Sequence, residues 1–335
     1  MHVRALESGF AALCGTAHAV TVNSATTALQ IALRYFGARG ADVLVPAASF
    51  LTDVGSVLFE GGTPVLADVD PETLAVTPDT LEARRTANTR GIVWVHLTGA
   101  ISPHHAAIRS YAARHGLFLI EDAAHAHGAV MTGRTSGSFG DVGVFSFYAS
   151  KIMTCATGGI PTTNDPELAR FARQLRAFGI DPDTGHARHL GNDRMLDDVR
   201  ACLGVHQLRA LPDHLSRRRA LADLYYRCLA NQPGIRLLDI PSDSRPAWYQ
   251  FPVFLADGVD HEAVTTALAS AGIQTRRIYK PVHKEPVFAG FADGGHPQAE
   301  RTLDRSLCLP MFAGLDEDGV AYVCERLVSA VRGVT

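Results

Sequence analysis

The chain is poor in lysine. Among its 335 residues the only lysines are Lys151, Lys280 and Lys284, and every other basic side chain that stays charged at neutral pH is an arginine. Arginine replaces lysine on most protein surfaces, but its guanidinium cannot form an imine with an aldehyde. A lysine in such a chain therefore merits attention as a chemical group, although composition alone gives it no role.

Other absences exclude whole classes of protein. No apolar run reaches the roughly 18 residues of a membrane span, and no signal-peptide pattern opens the chain. The formal net charge of −3 comes without a dense Lys/Arg stripe, so we expect no nucleic-acid partner. The six cysteines are scattered without a C-x-x-C pair, which is typical of reduced thiols rather than of disulfides or a zinc site. We expect a soluble, cytoplasmic protein that does not bind membranes.

With 47% hydrophobic residues, the chain can bury enough core for one large domain and one smaller domain. Short apolar runs alternate with amphipathic helical patterns over the first two-thirds, which predicts a mostly parallel sheet covered by helices on both faces. The predicted strands are residues 19–22, 43–45, 64–69, 92–97, 117–121 and 144–147. The predicted helices between them are residues 26–36, 52–60, 78–85 and 104–115.

Longer helical patterns follow residue 165, and shorter elements follow Pro233 and Gly234. We therefore predict a large domain over residues 1–230 and a small C-terminal domain over residues 231–335. The later predicted helices are 167–178, 197–230 with an interruption near Pro212, 261–271 and 317–332, and the later predicted strands are 250–255 and 275–279. In sheets of this kind ligands bind at the carboxyl ends of the strands, so the residues after each apolar run are the candidates for chemistry.

Small polar residues follow the first predicted strand, where Asn23-Ser24-Ala25-Thr26-Thr27 opens a helix. The free backbone N–H groups and hydroxyls of a helix N-terminus bind phosphate well. Ser or Thr at this position is also a common helix cap, so this motif alone leaves both interpretations open.

A carboxylate, Asp122, directly follows the strand predicted at 117–121. Burying a carboxylate is costly unless it meets a cation, and a protonated pyridine nitrogen is one such cation. Pyridoxal phosphate needs that nitrogen protonated to act as an electron sink. A structural ion pair is the alternative for Asp122. A metal site is the alternative for His125 and His127, although His-x-His without a third nearby ligand is a weak metal signal.

Lys151 follows the last strand of the predicted sheet and precedes a run of small residues. A neutral, partly desolvated amine is the nucleophile that a Schiff base requires. An ordinary exposed lysine is the alternative, and the motifs around Lys151 decide between the two.

Three motifs in order resemble the DegT/DnrJ/EryC1/StrS aminotransferase family. They are Asn-Ser-Ala-Thr-x-Ala-Leu from Asn23, Glu-Asp-Ala-Ala-His-Ala-His-Gly from Glu121, and Gly-Ser-Phe-Gly-Asp-x-Gly-x-Phe-Ser-Phe-x-x-x-Lys ending at Lys151. The resemblance continues to Leu-Cys-Leu-Pro at residues 307–310. It implies the fold type I architecture of pyridoxal-phosphate enzymes, with a mostly parallel mixed sheet sandwiched by helices and a smaller α+β C-terminal domain.

The resemblance also implies an activity and an assembly. An amino group would pass from an amino acid, glutamate or glutamine, to a keto sugar, nucleotide-linked, or to a keto cyclitol. The protein would be a homodimer with active sites at the subunit interface. Enzymes of the family serve polysaccharide and natural-product biosynthesis, including that of antibiotics.

Matching motif positions imply roles for individual residues. Lys151 matches the Schiff-base lysine and Asp122 the partner of the pyridinium nitrogen. The other matches are His125 beside the ring oxygen, Phe50 stacked on the ring, and Ala25, Thr26 and Ser146 around the phosphate. Asn192 matches an asparagine that reaches the neighbouring subunit's phosphate. A different register places Asp193 there, but a carboxylate would repel phosphate, so we favour Asn192.

The chain departs from the family pattern in places. Ala156-Thr157-Gly158-Gly159 stands where Gly-Glu-Gly-Gly is common, and Thr98 stands where tyrosine is common. The chain begins where the family is already past its first helix and a substrate loop, which implies either a missing segment or a more open site. Two other functions stay open: a different reaction of the same fold, such as elimination or decarboxylation, and a regulatory protein that binds the cofactor without turnover. Related sugar dehydratases carry histidine at the lysine position, so Lys151 argues against that branch.

Overall fold

A computed structural model of the chain describes residues 1–291 and 294–333. Its strands are β1 His18–Ala19, β2 Asp42–Pro46, β3 Thr63–Ala67, β4 Thr89–Val95, β5 Phe118–Asp122, β6 Val130–Met131, β7 Arg134–Thr135, β8 Val142–Ser146, β9 Gly159–Thr163, β10 Ile235–Leu237, β11 Ser244–Arg245, β12 Phe251–Leu255 and β13 Ser306–Leu309. Its α-helices are α1 His2–Cys14, α2 Ala25–Tyr35, α3 Leu51–Phe59, α4 Pro78–Glu82, α5 His105–His115, α6 Pro166–Arg176, α7 Asp198–Leu229, α8 His261–Ser270, α9 Pro297–Asp304 and α10 Glu317–Arg332.

A seven-stranded sheet with the order β1-β9-β8-β5-β4-β2-β3 forms the centre of the fold. The five strands from β8 to β3 run parallel, and β9 is antiparallel to β8. Strands β5 and β8 are buried along their whole length, as expected for a sheet covered on both faces. The predicted mostly parallel mixed sheet between helices is confirmed.

Two smaller antiparallel sheets complete the described chain, with the orders β10-β12-β13 and β11-β6-β7. Helix α7 ends at Leu229 and β10 begins at Ile235, on either side of the predicted domain boundary. The division into residues 1–230 and 231–335 stays a prediction. Within residues 1–291 and 294–333, no helix is both long and apolar enough to cross a bilayer.

Two sequence predictions about individual elements are wrong. Helix α7 runs without interruption through Pro212 for 32 residues, because buried Leu211 and Leu215 keep its apolar face against the core. Residues 275–279 do not form a strand, since they meet β13 only through a single bridge between Arg276 and Cys308. Two residues further on, the backbone N–H of Ile278 donates to the Ser306 hydroxyl instead of to a strand carbonyl.

Some elements were not predicted at all. The N-terminal helix α1 packs against α7, and β9 pairs with both β8 and β1. The predicted first strand is shorter than expected, because β1 covers only residues 18–19 and Val22 joins β9 through one isolated bridge to Gly159. Strands β9 and β1 therefore extend the sheet beyond β8 with two antiparallel strands.

Replacing Pro212 tests the continuity of α7. Pro212→Ala should raise the free energy of unfolding by about 1 kcal/mol or more, because alanine restores a helical N–H donor and removes a ring that crowds the preceding turn. Urea-induced unfolding measures the change. The control Asp213→Ala alters the next exposed residue and should stay within about 0.5 kcal/mol of the wild type. A loss of stability in Pro212→Ala would mean that neighbouring packing depends on the proline ring.

Candidate active site

A cavity of about 390 Å³ lies where the carboxyl ends of β4, β5 and β8 meet. Parallel pairing sets Val95 of β4 beside Asp122 of β5, and Asp122 beside Val144 of β8. Every predicted site residue except Asn192 lines this cavity: Ala25, Thr26, Phe50, Asp122, His125, Ser146 and Lys151. The strand ends thus bring together residues that are far apart in the sequence, as expected for a sheet of this kind.

The N-terminus of α2 forms one end of the cavity. Ser24 caps the helix by accepting a hydrogen bond from the Thr27 N–H at 3.1 Å. The N–H groups of the first helical turn have no partner within the helix, and those of Ala25 and Thr26 belong to that turn. A Cβ on Gly159 would lie 2.4 Å from the Ala25 nitrogen, so only glycine lets β9 approach this turn so closely. Together with the Ser146 hydroxyl, this end of the cavity suits a phosphate.

Adjacent carboxylates at the end of β5 have different surroundings. Glu121 is fully buried and accepts hydrogen bonds from the backbone N–H groups of Phe139 and Gly140, and it pairs with His96 Nε2 at 2.7 Å. Asp122 borders the cavity, accepts the Ala124 N–H at 2.8 Å, and makes no ion pair with any residue that the structure describes. Glu121 is therefore a structural group, and Asp122 offers a buried anion that lacks a cation.

Lys151 projects into the cavity from the loop after β8. Its Nζ lies 4.6 Å from the centroid of the Tyr249 ring and makes no hydrogen bond or ion pair within residues 1–291 and 294–333. Burial lowers the pKa of the Lys151 amine, while Tyr249, Asp122 and Asp53 act more weakly in the opposite direction. The site thus favours the neutral amine, which is the nucleophilic form.

Aromatic side chains form the wall beside Lys151. His125 stacks on Tyr249 with ring centroids 4.2 Å apart and shares a hydrogen bond of 2.9 Å between Nε2 and the Tyr279 hydroxyl. Tyr279 also lies against Phe50, with ring centroids 5.2 Å apart. Burial, followed by the charge on Lys151, lowers the pKa of His125 well below its ordinary value, so its imidazole is neutral. A flat aromatic ligand fits between such surfaces.

Comparison with known proteins decides the family. The family model of the DegT/DnrJ/EryC1/StrS aminotransferases matches residues 1–328. The chain belongs to this family. It is 36% identical to GDP-perosamine synthase of Caulobacter vibrioides over 334 residues. The matched region covers 98% of this chain and 88% of that protein.

Two further comparisons agree with this membership. The chain is 38% identical over 338 residues to a UDP-N-acetyl-3-dehydro-alpha-D-glucosamine 3-aminotransferase of Acidithiobacillus ferrooxidans, covering 98% of this chain and 89% of that one. The crystal structure of the aminotransferase TlmJ from Streptoalloteichus hindustanus superposes with a TM-score of 0.93 at 30% identity, over 99% of this chain and 91% of that one. The protein is an aminotransferase of the DegT/DnrJ/EryC1/StrS family.

Asn192 and Asp193 of this family member lie outside the cavity of their own chain. Both are exposed, and the Asn192 Oδ1 accepts the Asp193 N–H at 2.8 Å. The family resemblance assigns Asn192 to the neighbouring subunit's site, and this assignment stays a prediction. The choice between Asn192 and Asp193 stays a prediction.

Sequence reasoning missed several residues of the aminotransferase cavity. Tyr249 precedes β12, and no motif distinguishes it from an ordinary core tyrosine. Arg276 and Tyr279 fall in residues 275–279, which the sequence predicted as a strand. Asp53 could have been noticed in the sequence, because it is the only carboxylate in helix α3, whose other residues are apolar or neutral.

Acid sensitivity should arise beside the aminotransferase cavity, at His127. Burial, and then the charge on Lys151, lower the pKa of His127 to about 3. The unfolded chain binds a proton at a His pKa of about 6.5 and the folded chain does not. Stability is therefore complete above about pH 6.5 and falls as the pH decreases, by roughly 1.4 kcal/mol per pH unit in that window.

Chemical unfolding over a pH series measures this effect. His127→Phe keeps a ring among the neighbouring Phe10, Phe145 and Phe147 and should remove this part of the acid sensitivity. His206→Phe on the exposed face of α7 is the control and should follow the wild type. Parallel pH curves for the wild type and His127→Phe would contradict the assignment.

Proposed function

We propose that this cavity binds pyridoxal 5′-phosphate through Lys151, and that the enzyme transfers an amino group from glutamate or glutamine to a keto sugar carried on a nucleoside diphosphate. A keto cyclitol is the alternative acceptor. The observation that carries the proposal is that one cavity is lined both by the Lys151 amine, whose pKa burial lowers, and by the Asp122 carboxyl, which makes no ion pair with any described residue. The six cysteines are free, which supports a reducing, cytoplasmic location.

The cavity fits the cofactor at each of its ends. The first turn of α2 and Ser146 suit its phosphate, and the neutral His125 and Phe50 suit the faces and edge of its ring. Asp122 would pair with the ring nitrogen, which supplies the cation that this buried carboxylate lacks. When bound, the cofactor supplies an aldehyde for the amine and an electron sink for charge that develops at the reacting carbon.

Side chains of the protein would hold and move the protons and position the cofactor's ring. Asp122 holds the proton at the ring nitrogen, because a buried carboxylate stabilises the adjacent cation. Lys151 Nζ would take up and return the proton at the reacting carbon, since burial lowers the pKa of this amine and so makes it easier for the amine to act as both base and acid. The hydrogen bond between His125 and Tyr279 fixes the orientation of the His125 imidazole, which would help to hold the cofactor's ring.

A nucleotide-linked sugar is supported by two observations. The relatives named above include a GDP-perosamine synthase and an aminotransferase named for a UDP-linked sugar. Arg276 lines the cavity of this chain and provides a cation that suits a diphosphate.

A homodimer with shared sites is supported by a set of exposed apolar side chains. Large exposed apolar surfaces are typical of sites where another protein binds. The set spans residues 178–203 and comprises Phe178, Ile180, Leu190, Met195, Val199 and Leu203. Asn192 lies within the same stretch. If a second copy of the chain covers this surface, Asn192 would reach the phosphate of the cofactor bound by that copy.

Lys151→Ala should lower amino transfer by at least a hundredfold, because it removes both the covalent anchor and the group that moves the proton. Mass spectrometry of aminated sugar measures the rate against a panel of keto sugars, nucleotide-linked and free, and keto cyclitols. Lys284→Ala is the matched control, since Lys284 pairs with Glu300 and Asp304 outside the cavity. Borohydride treatment of the loaded wild type should leave the pyridoxyl group on Lys151, and finding it on Lys280 or Lys284 would overturn the proposal.

Subunit mixing tests the shared site. Lys151→Ala and Asn192→Ala chains, each poorly active alone, should regain activity when co-expressed. By symmetry, about half of the sites in each heterodimer then combine an intact lysine with an intact asparagine. Light scattering establishes the oligomeric state. A monomer that is active at high dilution would contradict the shared site, and confirmed heterodimers without rescue would favour Asp193 or a site within one chain.

A further inference from the structure

A second buried carboxyl, Asp53, lies behind the cavity and has no part in the function proposed above. It occupies the first turn of α3, is completely buried, and does not line the cavity. Neither of its carboxyl oxygens accepts a hydrogen bond from an N–H or O–H donor within residues 1–291 and 294–333, and it makes no ion pair there. An ionised carboxylate in such surroundings is strongly disfavoured.

The group within hydrogen-bonding reach of Asp53 is the carboxyl of Asp122. Two ionised carboxylates offer only acceptor oxygens, so a hydrogen bond between them requires one proton. Like charges this close also disfavour double ionisation, and one carboxyl of such a pair keeps a proton to much higher pH. The pair therefore keeps one proton to a higher pH than an isolated aspartate does.

Several observations place that proton on Asp53. Burial, and then the charge and hydrogen bond of Asp122, raise the pKa of Asp53 well above its ordinary value. The Phe50 backbone and the charge on Lys151 oppose this shift but are smaller effects, as is the preference of a helix N-terminus for an anion. Asp122, in contrast, accepts the Ala124 N–H and borders the cavity, and Asp53 has neither contact.

We propose that Asp53 is a positioning residue that stays protonated in the folded protein and donates a hydrogen bond to Asp122, orienting the Asp122 carboxylate toward the cavity. The titratable groups facing Asp53 are Asp122 at the end of β5, Lys151 in the loop after β8, and Tyr279 beyond α8. Asp53 acts only through Asp122, because it does not reach the cavity. The effect on catalysis rests on the proposed function, whereas the proton and the hydrogen bond do not.

Infrared spectroscopy of the cofactor-free protein tests the proton directly. Wild-type protein minus Asp53→Asn, both at neutral pH, should show the carbonyl band of a protonated carboxylic acid, shifted in D2O. Ser56→Ala, buried one turn further along α3, is the matched control and should keep the band. A difference spectrum without such a band would overturn the proposal, whatever the enzyme proves to catalyse.

The pH dependence of unfolding gives a second readout. An unfolded aspartate loses its proton near pH 4, whereas folded Asp53 keeps it to higher pH. Wild-type stability should therefore fall relative to Asp53→Asn as the pH rises above about 4, and the difference should level off above the folded pKa. A constant difference from pH 4 to pH 8 would contradict a retained proton.

Kinetics of the loaded enzyme test the positioning role. Asp53→Ala removes the donor to a charged group, so kcat should fall roughly tenfold to a hundredfold. Asp53→Asn replaces a neutral donor with another neutral donor and should restore most of kcat with an unchanged pH profile. Loss of activity in Asp53→Asn equal to that in Asp53→Ala would contradict the role.

The outcomes separate this inference from the proposed function. A carboxylic-acid band in a protein that fails to bind pyridoxal phosphate would leave the Asp53–Asp122 contact standing and remove the proposed function. Binding of pyridoxal phosphate at Lys151 by a protein that lacks the carboxylic-acid band would support the proposed function and contradict the hydrogen bond from Asp53 to Asp122.

Discussion

The parallel pairing of β4, β5 and β8 is the constraint on which the site depends. Parallel strands end at the same edge, so the residues after them meet although they are far apart in the chain. Asp122 ends β5 beside Val144 of β8, and the loop after β8 carries Lys151. The antiparallel β9 then returns along β8 and, through Gly159, holds the first turn of α2 against the same edge.

Desolvation gives this edge its chemistry. The same burial that lowers the pKa of Lys151 and of His125 raises that of Asp53, so all three groups are shifted toward their neutral forms. Asp122 borders the cavity and makes no ion pair with any described residue. A cofactor with a cationic ring would therefore meet this carboxyl, a desolvated amine and aromatic walls.

Much of this arrangement could be predicted from the sequence, because it depends on local pattern. Buried parallel strands are apolar runs in the sequence, and the motifs that contain Asp122 and Lys151 lie where those runs stop. Continuity of α7 through Pro212 could not be predicted, since packing of its apolar face outweighs the local preference of proline. The position of Tyr249 in the cavity, and the contact between Asp53 and Asp122, depend on tertiary packing between elements distant in sequence.

The dipeptide Glu121-Asp122 shows what the structure adds to the motif. From the sequence either carboxylate could serve a ligand, and the motif assigns Asp122 only by resemblance. Successive side chains of a strand point to opposite faces, so the two carboxylates of β5 cannot share surroundings. On one face Glu121 meets His96 and backbone N–H groups that satisfy it. On the other, Asp122 meets a second carboxyl and an open cavity, and a group whose charge is only partly satisfied by the protein is the one able to bind a cationic ligand.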